Sequence, residues 1–141
     1  MSCPWEGSTI TARTHPHTRA EYLLPHCRTT VFWARWLTTA FLARASPPSA
    51  DIGDASLIVT ELVANVIRHT ESCCRLSLRA QPRHLTVEVH DDGPGRPWFC
   101  PLTAGGESGR GLAIVYALAE SLEIVDDPWG GKTVRAALSA L

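Results

Sequence analysis

Glu61, Asn65 and Arg68 fall at i, i+4 and i+7 in a stretch whose apolar residues, Ala55, Ile58, Val59, Leu62, Val63 and Val66, keep helical spacing. On a helix turning about 100° per residue, the three polar groups form a narrow stripe at the margin of the apolar arc. Such a stripe is either a solvated margin or one wall of a pocket. In a pocket, the Asn65 amide oxygen is a competent ligand for a hard cation such as Mg²⁺, which keeps several waters and shares phosphate oxygens.

A second carboxylate stands where a strand should end. Leu85, Val87 and Val89 alternate on one face, and the same parity puts Asp91 on that face. A buried charge needs a hydrogen-bonding partner. Asp91 therefore either meets a ligand donor, such as a purine amino group, or caps the turn Asp92-Gly93-Pro94-Gly95. The glycines at 93 and 95 permit close backbone approach, and the run Gly105-Gly106-Glu107-Ser108-Gly109-Arg110-Gly111 leads into a helix. A helix N-terminus favours an anion, and Arg110 adds a fork suited to phosphate oxygens. The run is neither a Walker A sequence nor the Gly-x-Gly-x-x-Gly of a dinucleotide fold.

Several elements must hold these groups. Residues 1–18 mix Pro, Thr, His and Gly without apolar periodicity and read as a loose N-terminal tail, leaving 19–141 as a single domain. Residues 21–24 suit a short edge strand ended by Pro25. Trp33, Trp36, Leu37, Ala40 and Phe41 predict a helix over 30–45, stopped by Ser46-Pro47-Pro48-Ser49, and a second helix follows over 51–69. Alternation over 75–80 and 85–89 predicts two neighbouring strands around a turn at Gln81-Pro82-Arg83. Residues 92–109 hold five glycines and three prolines and read as a long loop. A helix over 110–122 and strands over 122–125 and 133–138, around Trp129-Gly130-Gly131, complete the order β-α-α-β-β-loop-α-β-β.

The 141 residues suit one compact domain, and an apolar fraction of 45% with 19% charged residues is that of a globular chain. Thirteen Lys and Arg against fourteen Asp and Glu, scattered along the chain, give no field for direct nucleic-acid binding. The longest apolar stretch, 31–43, is broken by Arg35, Thr38 and Thr39 and falls short of the roughly 20 residues a bilayer span needs. With no basic region followed by an apolar segment at the N-terminus, a cytoplasmic location is expected. Cys3, Cys27, Cys73, Cys74 and Cys100 lack zinc-ligand spacing and are expected to be buried or edge thiols.

Four motifs in order carry a resemblance. Glu61-Leu62-Val63-Ala64-Asn65-Val66-Ile67-Arg68-His69 resembles the N box of Bergerat-fold (GHKL, histidine-kinase-like) ATPases. Asp91-Asp92-Gly93-Pro94-Gly95 resembles their Asp-x-Gly-x-Gly box, Gly109-Arg110-Gly111-Leu112-Ala113-Ile114-Val115 their second glycine box, and Gly131-Lys132-Thr133-Val134 their terminal strand motif. Within that superfamily, the Arg-His after the N box and the Gly-Arg-Gly-Leu phrase are most similar to stand-alone bacterial anti-sigma-factor serine/threonine kinases. The length leaves no room for a preceding dimerisation helix with a phosphoacceptor histidine, so a complete sensor histidine kinase is not expected. His69 falls on the apolar side of its helix and is expected to be a packed helix-end histidine.

The resemblance implies a two-layer α/β sandwich, with a mixed, largely antiparallel sheet carrying helices on one face and ATP between helices and lid. It implies Asn65 as the Mg²⁺ ligand, Asp91 as the adenine reader and Glu61 as the carboxylate that polarises the attacking hydroxyl or water. Gly109, Arg110 and Gly111 are implied to contact phosphates, and Arg68, Gly93, Gly95, Leu112 and Thr133 to line the ATP site. Strand parity nevertheless groups Thr133 with Arg135, opposite Val134. Residues 96–106 would form the lid, where Trp98 and Phe99 close over the nucleotide, touch a partner or pack the loop. The implied activity is phosphoryl transfer from Mg·ATP to a serine or threonine of a small anti-anti-sigma antagonist protein, alternating with sequestration of a sigma factor. A homodimer is an assembly the resemblance allows. The alternatives are an ATP-switched binding regulator without transfer, an inert interaction module and a detached histidine-kinase catalytic domain.

Overall fold

The computed structural model describes residues 10–15, 19–44, 50–93, 107–128 and 130–140. Its elements run β1 (Thr11–His15), β2 (Arg19–Leu24), α1 (Thr30–Ala43), α2 (Ile52–His69), β3 (Cys74–Gln81), β4 (His84–Asp91), α3 (Glu107–Leu118), β5 (Ser121–Asp126) and β6 (Lys132–Ser139). The strands form one sheet in the order β1-β2-β3-β4-β6-β5. Every described pairing is antiparallel, which corrects the expectation of a mixed sheet. Thr11–His15, expected in a loose tail, pairs with Arg19–Leu24, so β2 is not the edge strand that its sequence suggested. The expected lid, with Gly95, Trp98 and Phe99, lies outside the described residues.

Period-two burial decides which sheet face meets the helices. Leu76, Leu78, Leu85, Val87, Val89, Val134, Ala136 and Leu138 are buried on one face, against Ala55, Ile58, Val59, Leu62, Val63 and Val66 of α2. The opposite face carries polar cross-strand contacts, including Arg135 Nε to Glu88 Oε1 at 2.9 Å across a directly paired position. Among the described residues, helices therefore cover one face only, as expected of a two-layer sandwich.

Both ends of α2 are satisfied by specific groups. Asp51 adopts an extended N-cap conformation and its Oδ1 accepts the Asp54 N–H at 2.9 Å, a cap worth about 1 kcal/mol. At the other end the Val66 carbonyl accepts both the backbone N–H and the hydroxyl of Thr70, while His26 Nε2 donates to the Ile67 carbonyl at 3.0 Å. The last turn of α2 is thereby pinned where β4 ends. Alongside it, α1 is tied to α2 by Thr39 Oγ1 and Ser56 Oγ at 3.0 Å. The outer side of α1 leaves Phe32, Trp33 and Trp36 exposed, the two indoles meeting edge-to-face at 6.3 Å.

Candidate functional site

Asp91 is the last residue of β4 and only 2% exposed, with its carboxylate on the helix-covered face that parity predicts. Its Oδ1 accepts the Gly93 N–H at 2.9 Å and Lys132 Nζ at 3.0 Å. The turn-capping role expected for Asp91 is thus present, and beside it stands an ion pair that the sequence reading did not contain. Lys132 lies directly across from Asp91 in the β4–β6 register and is 3% exposed. Parity could have found it, because Lys132 shares its strand face with buried Val134, Ala136 and Leu138.

Two glycines let the backbone close on this pair. Gly131 has φ +83°, and a Cβ there would lie 2.2 Å from the Asp91 carbonyl oxygen. At Gly93 a Cβ would fall 2.8 Å from the Thr70 side chain, which brings the end of α2 against the turn after β4. The corner is therefore built from three elements: the last turn of α2, the end of β4 and the start of β6.

On α2, Asn65 is buried, Glu61 half-buried and Arg68 exposed. The polar stripe is thus graded, with the amide facing the interior one turn after the carboxylate. His69 is exposed and not packed as expected, because the helix ends there and the chain turns away at Thr70. Partial burial, then the positive charges of Arg68 and Lys132, hold its imidazole below the usual histidine range. Asn65 lies within the same last two turns of α2. A metal held there would rest on that amide, water and phosphate oxygens, since no group of three His, Cys, Asp or Glu stands ready for a cation among the described residues.

The backbone of α3 packs against α2 and begins at Glu107, three residues before the predicted start. Gly109, Arg110, Gly111 and Leu112 consequently lie inside the first turns of the helix. Within the helix, the amides of residues 107–109 are the ones an α-helix leaves without intrahelical acceptors, and these are suited to anionic oxygens.

Thr133 does not join the Asp91 face. Its Oγ1 is 2.9 Å from His90 Nδ1, and His90 Nε2 is 3.0 Å from Asp92 Oδ1, a chain of contacts on the helix-free side of the sheet. Thr133 thus lies with Arg135 on the helix-free face, as strand parity grouped them, whereas Lys132 lies on the Asp91 face. Behind the site, Cys74 is paired with Asp91 in register, and burial, with the Asp91 carboxylate adding to it, pushes its thiol up to about 12. Cys73 and Cys74 are free thiols as expected, whereas Cys27 is disulfide-bonded. No described helix is long and apolar enough to cross a membrane.

A buried acceptor next to a buried donor, glycines that admit close approach, a buried amide and a helix N-terminus together suit a base, a cation and phosphates. A base amino group has an acceptor there, for Asp91 Oδ2 has no hydrogen bond among the described residues.

Comparison with known proteins agrees with the motifs. Over 87 residues the chain is 33% identical to the sensor histidine kinase PdtaS of Mycolicibacterium smegmatis, covering 55% of this chain and 17% of that protein. The chain thus spans about one sixth of that relative's length. Similar solved structures include the histidine kinase domain of the Erythrobacter litoralis EL346 blue-light activated histidine kinase, with a TM-score of 0.49 and 23% identity over 62% of this chain and 44% of that one. Another is the histidine kinase domain of the E. coli osmosensor EnvZ, with a TM-score of 0.47 and 18% identity over 93% of each chain. The family model that matches is the histidine kinase-like ATPase domain, aligned to residues 26–138, so with its match running from before α1 to within β6 the chain belongs to that family.

Proposed function

We propose that the chain is an ATP-dependent regulator that transfers the γ-phosphoryl group of Mg·ATP to a serine or threonine hydroxyl of a small antagonist protein, and that in an alternative complex it holds a sigma factor. The observation that carries transfer is Glu61, a half-buried carboxylate one helical turn before buried Asn65 on the helix whose last turn meets the Asp91 corner. In this reading Asn65 Oδ1 ligates Mg²⁺, the N-terminal amides of α3 receive phosphate oxygens, and Asp91 reads adenine. The acceptor hydroxyl gives its proton to Glu61 as its oxygen bonds to the γ-phosphorus. The bond from that phosphorus to the β–γ bridging oxygen breaks, and ADP leaves.

Partner docking is supported by α1. Its exposed Phe32, Trp33 and Trp36 line one groove with Arg35, and α1 carries no acidic residue. Such a surface suits an apolar segment of a partner protein flanked by acidic residues. The similarity to a sensor histidine kinase favours a second reading, a detached catalytic domain that phosphorylates histidine on a separate protein.

Labelled ATP, incubated with the protein and candidate antagonist or phosphoacceptor proteins, separates the two. Acid-stable label on serine or threonine is the expected product, and acid-labile label on histidine would replace it with the second reading. Bound ATP with no label on any acceptor would leave an ATP-switched regulator. Asp91→Asn should weaken ATP binding about tenfold to a hundredfold, by analogy with a buried donor losing its acceptor.

A further inference from the structure

The corner around Asp91 contains a polar group for which the adenine-reading carboxylate gives no reason. Lys132 is 3% exposed, and its ammonium carries three N–H donors. One reaches Asp91 Oδ1 at 3.0 Å, and the remaining two have no acceptor among the described residues. Asp91 Oδ2 likewise has no donor there. Buried polar groups in native proteins are nearly always paired, so two orphans on adjacent side chains point to something that binds between them.

The two orphans are complementary to one another in type. A donor from Lys132 lies beside an acceptor from Asp91, which is the complement of the adenine edge where ring N1 accepts next to a 6-amino group that donates. The lysine arm is ordinarily flexible, but here the ion pair holds Nζ in place, and Gly131 allows the start of β6 to press against the Asp91 backbone. The ammonium also faces the end of α2, since its charge contributes to lowering the His69 imidazole after burial and Arg68.

We propose that Lys132 is a base-reading residue, donating to adenine N1 while Asp91 accepts from the 6-amino group. This rests on the nucleotide-site reading above and adds to it a second, charged contact. Adenine then binds through a pair of opposite charges already bonded to each other in the free protein, Asp91 offering Oδ2 and Lys132 one of its two remaining donors to the base.

The test measures calorimetric affinity of the full chain for Mg·ATP and for Mg·1-deaza-ATP, in which N1 is replaced by C–H. The wild type should prefer ATP by about tenfold or more, the size expected when a buried charged donor loses its acceptor. Lys132→Met and Lys132→Ala, checked for folding by circular dichroism, should bind the two nucleotides alike, and one folded variant suffices. Equal affinities in the wild type would overturn the role of Lys132 even if neither variant folds. So would a variant that keeps the wild-type preference. Binding of neither nucleotide by the wild type would instead sink the nucleotide reading itself, and this inference with it.

Discussion

Replacing Gly131 by alanine should damage both stability and the site, and the neighbouring glycine supplies its control. Gly131 has φ +83°, in the left-handed region that costs an L residue about 1–2 kcal/mol. The new methyl would also lie 2.2 Å from the Asp91 carbonyl oxygen, 2.9 Å from Asp92 Cα and 3.1 Å from the Asp91 carbonyl carbon. Optimal non-bonded contact is about 3.5–4.0 Å, and all three atoms are backbone, so no side-chain rotation relieves the overlap. The start of β6 must withdraw from the end of β4, straining the position where Asp91 and Lys132 pair. Overpacking of this kind adds about 1–3 kcal/mol, so Gly131→Ala should cost about 3 kcal/mol or more. Gly130 has φ +104° with nothing within 4 Å of its hypothetical Cβ, so Gly130→Ala should lose only the conformational part, about 1–2 kcal/mol. Urea unfolding of the three proteins measures the difference, and ATP titration of the folded fraction reports on the site. If the two alanine variants unfold within about 0.5 kcal/mol of each other, a resolution typical of such comparisons, the close approach at Gly131 is refuted.

Asn65→Ala should weaken Mg·ATP binding, whereas Glu61→Ala should bind ATP and lose transfer; if both variants lose only binding, Glu61 has no catalytic role. Thr133→Val should leave ATP affinity unchanged, because its hydroxyl bonds to His90 on the helix-free face; a large loss in calorimetry would return Thr133 to the site. At pH 8, iodoacetamide followed by peptide mapping should modify exposed Cys73 and spare Cys74. The folded protein keeps the Cys74 proton up to about pH 12 while the unfolded thiol releases it near pH 9.0. The resulting stability is whole below pH 9 and lost between 9 and about 12, so the urea midpoint should fall over that window, less steeply in Cys74→Ala.

Helix and strand faces were legible along the chain because each depends on the periodicity of one segment. The apolar arc of α2 and the inward parity of Asp91 follow from spacing alone, whereas the two-layer arrangement followed from the family resemblance that the four ordered motifs carry. Strand β1 was not legible, since Thr11–His15 has no apolar alternation and is held as a strand by pairing with β2. The start of α3 lies three residues before the expected one because Gly105, Gly106 and Gly109 carry the loop pattern to residue 109, although the helix begins at Glu107. His69 lost its expected packing because angular position on a helix says nothing of whether another element covers its end. The ion pair of Asp91 with Lys132 joins residues far apart in sequence, and only the antiparallel register of β4 with β6 puts them opposite each other. Local periodicity determines which face a side chain takes, whereas its neighbour across the sheet is set by register, which no single segment encodes.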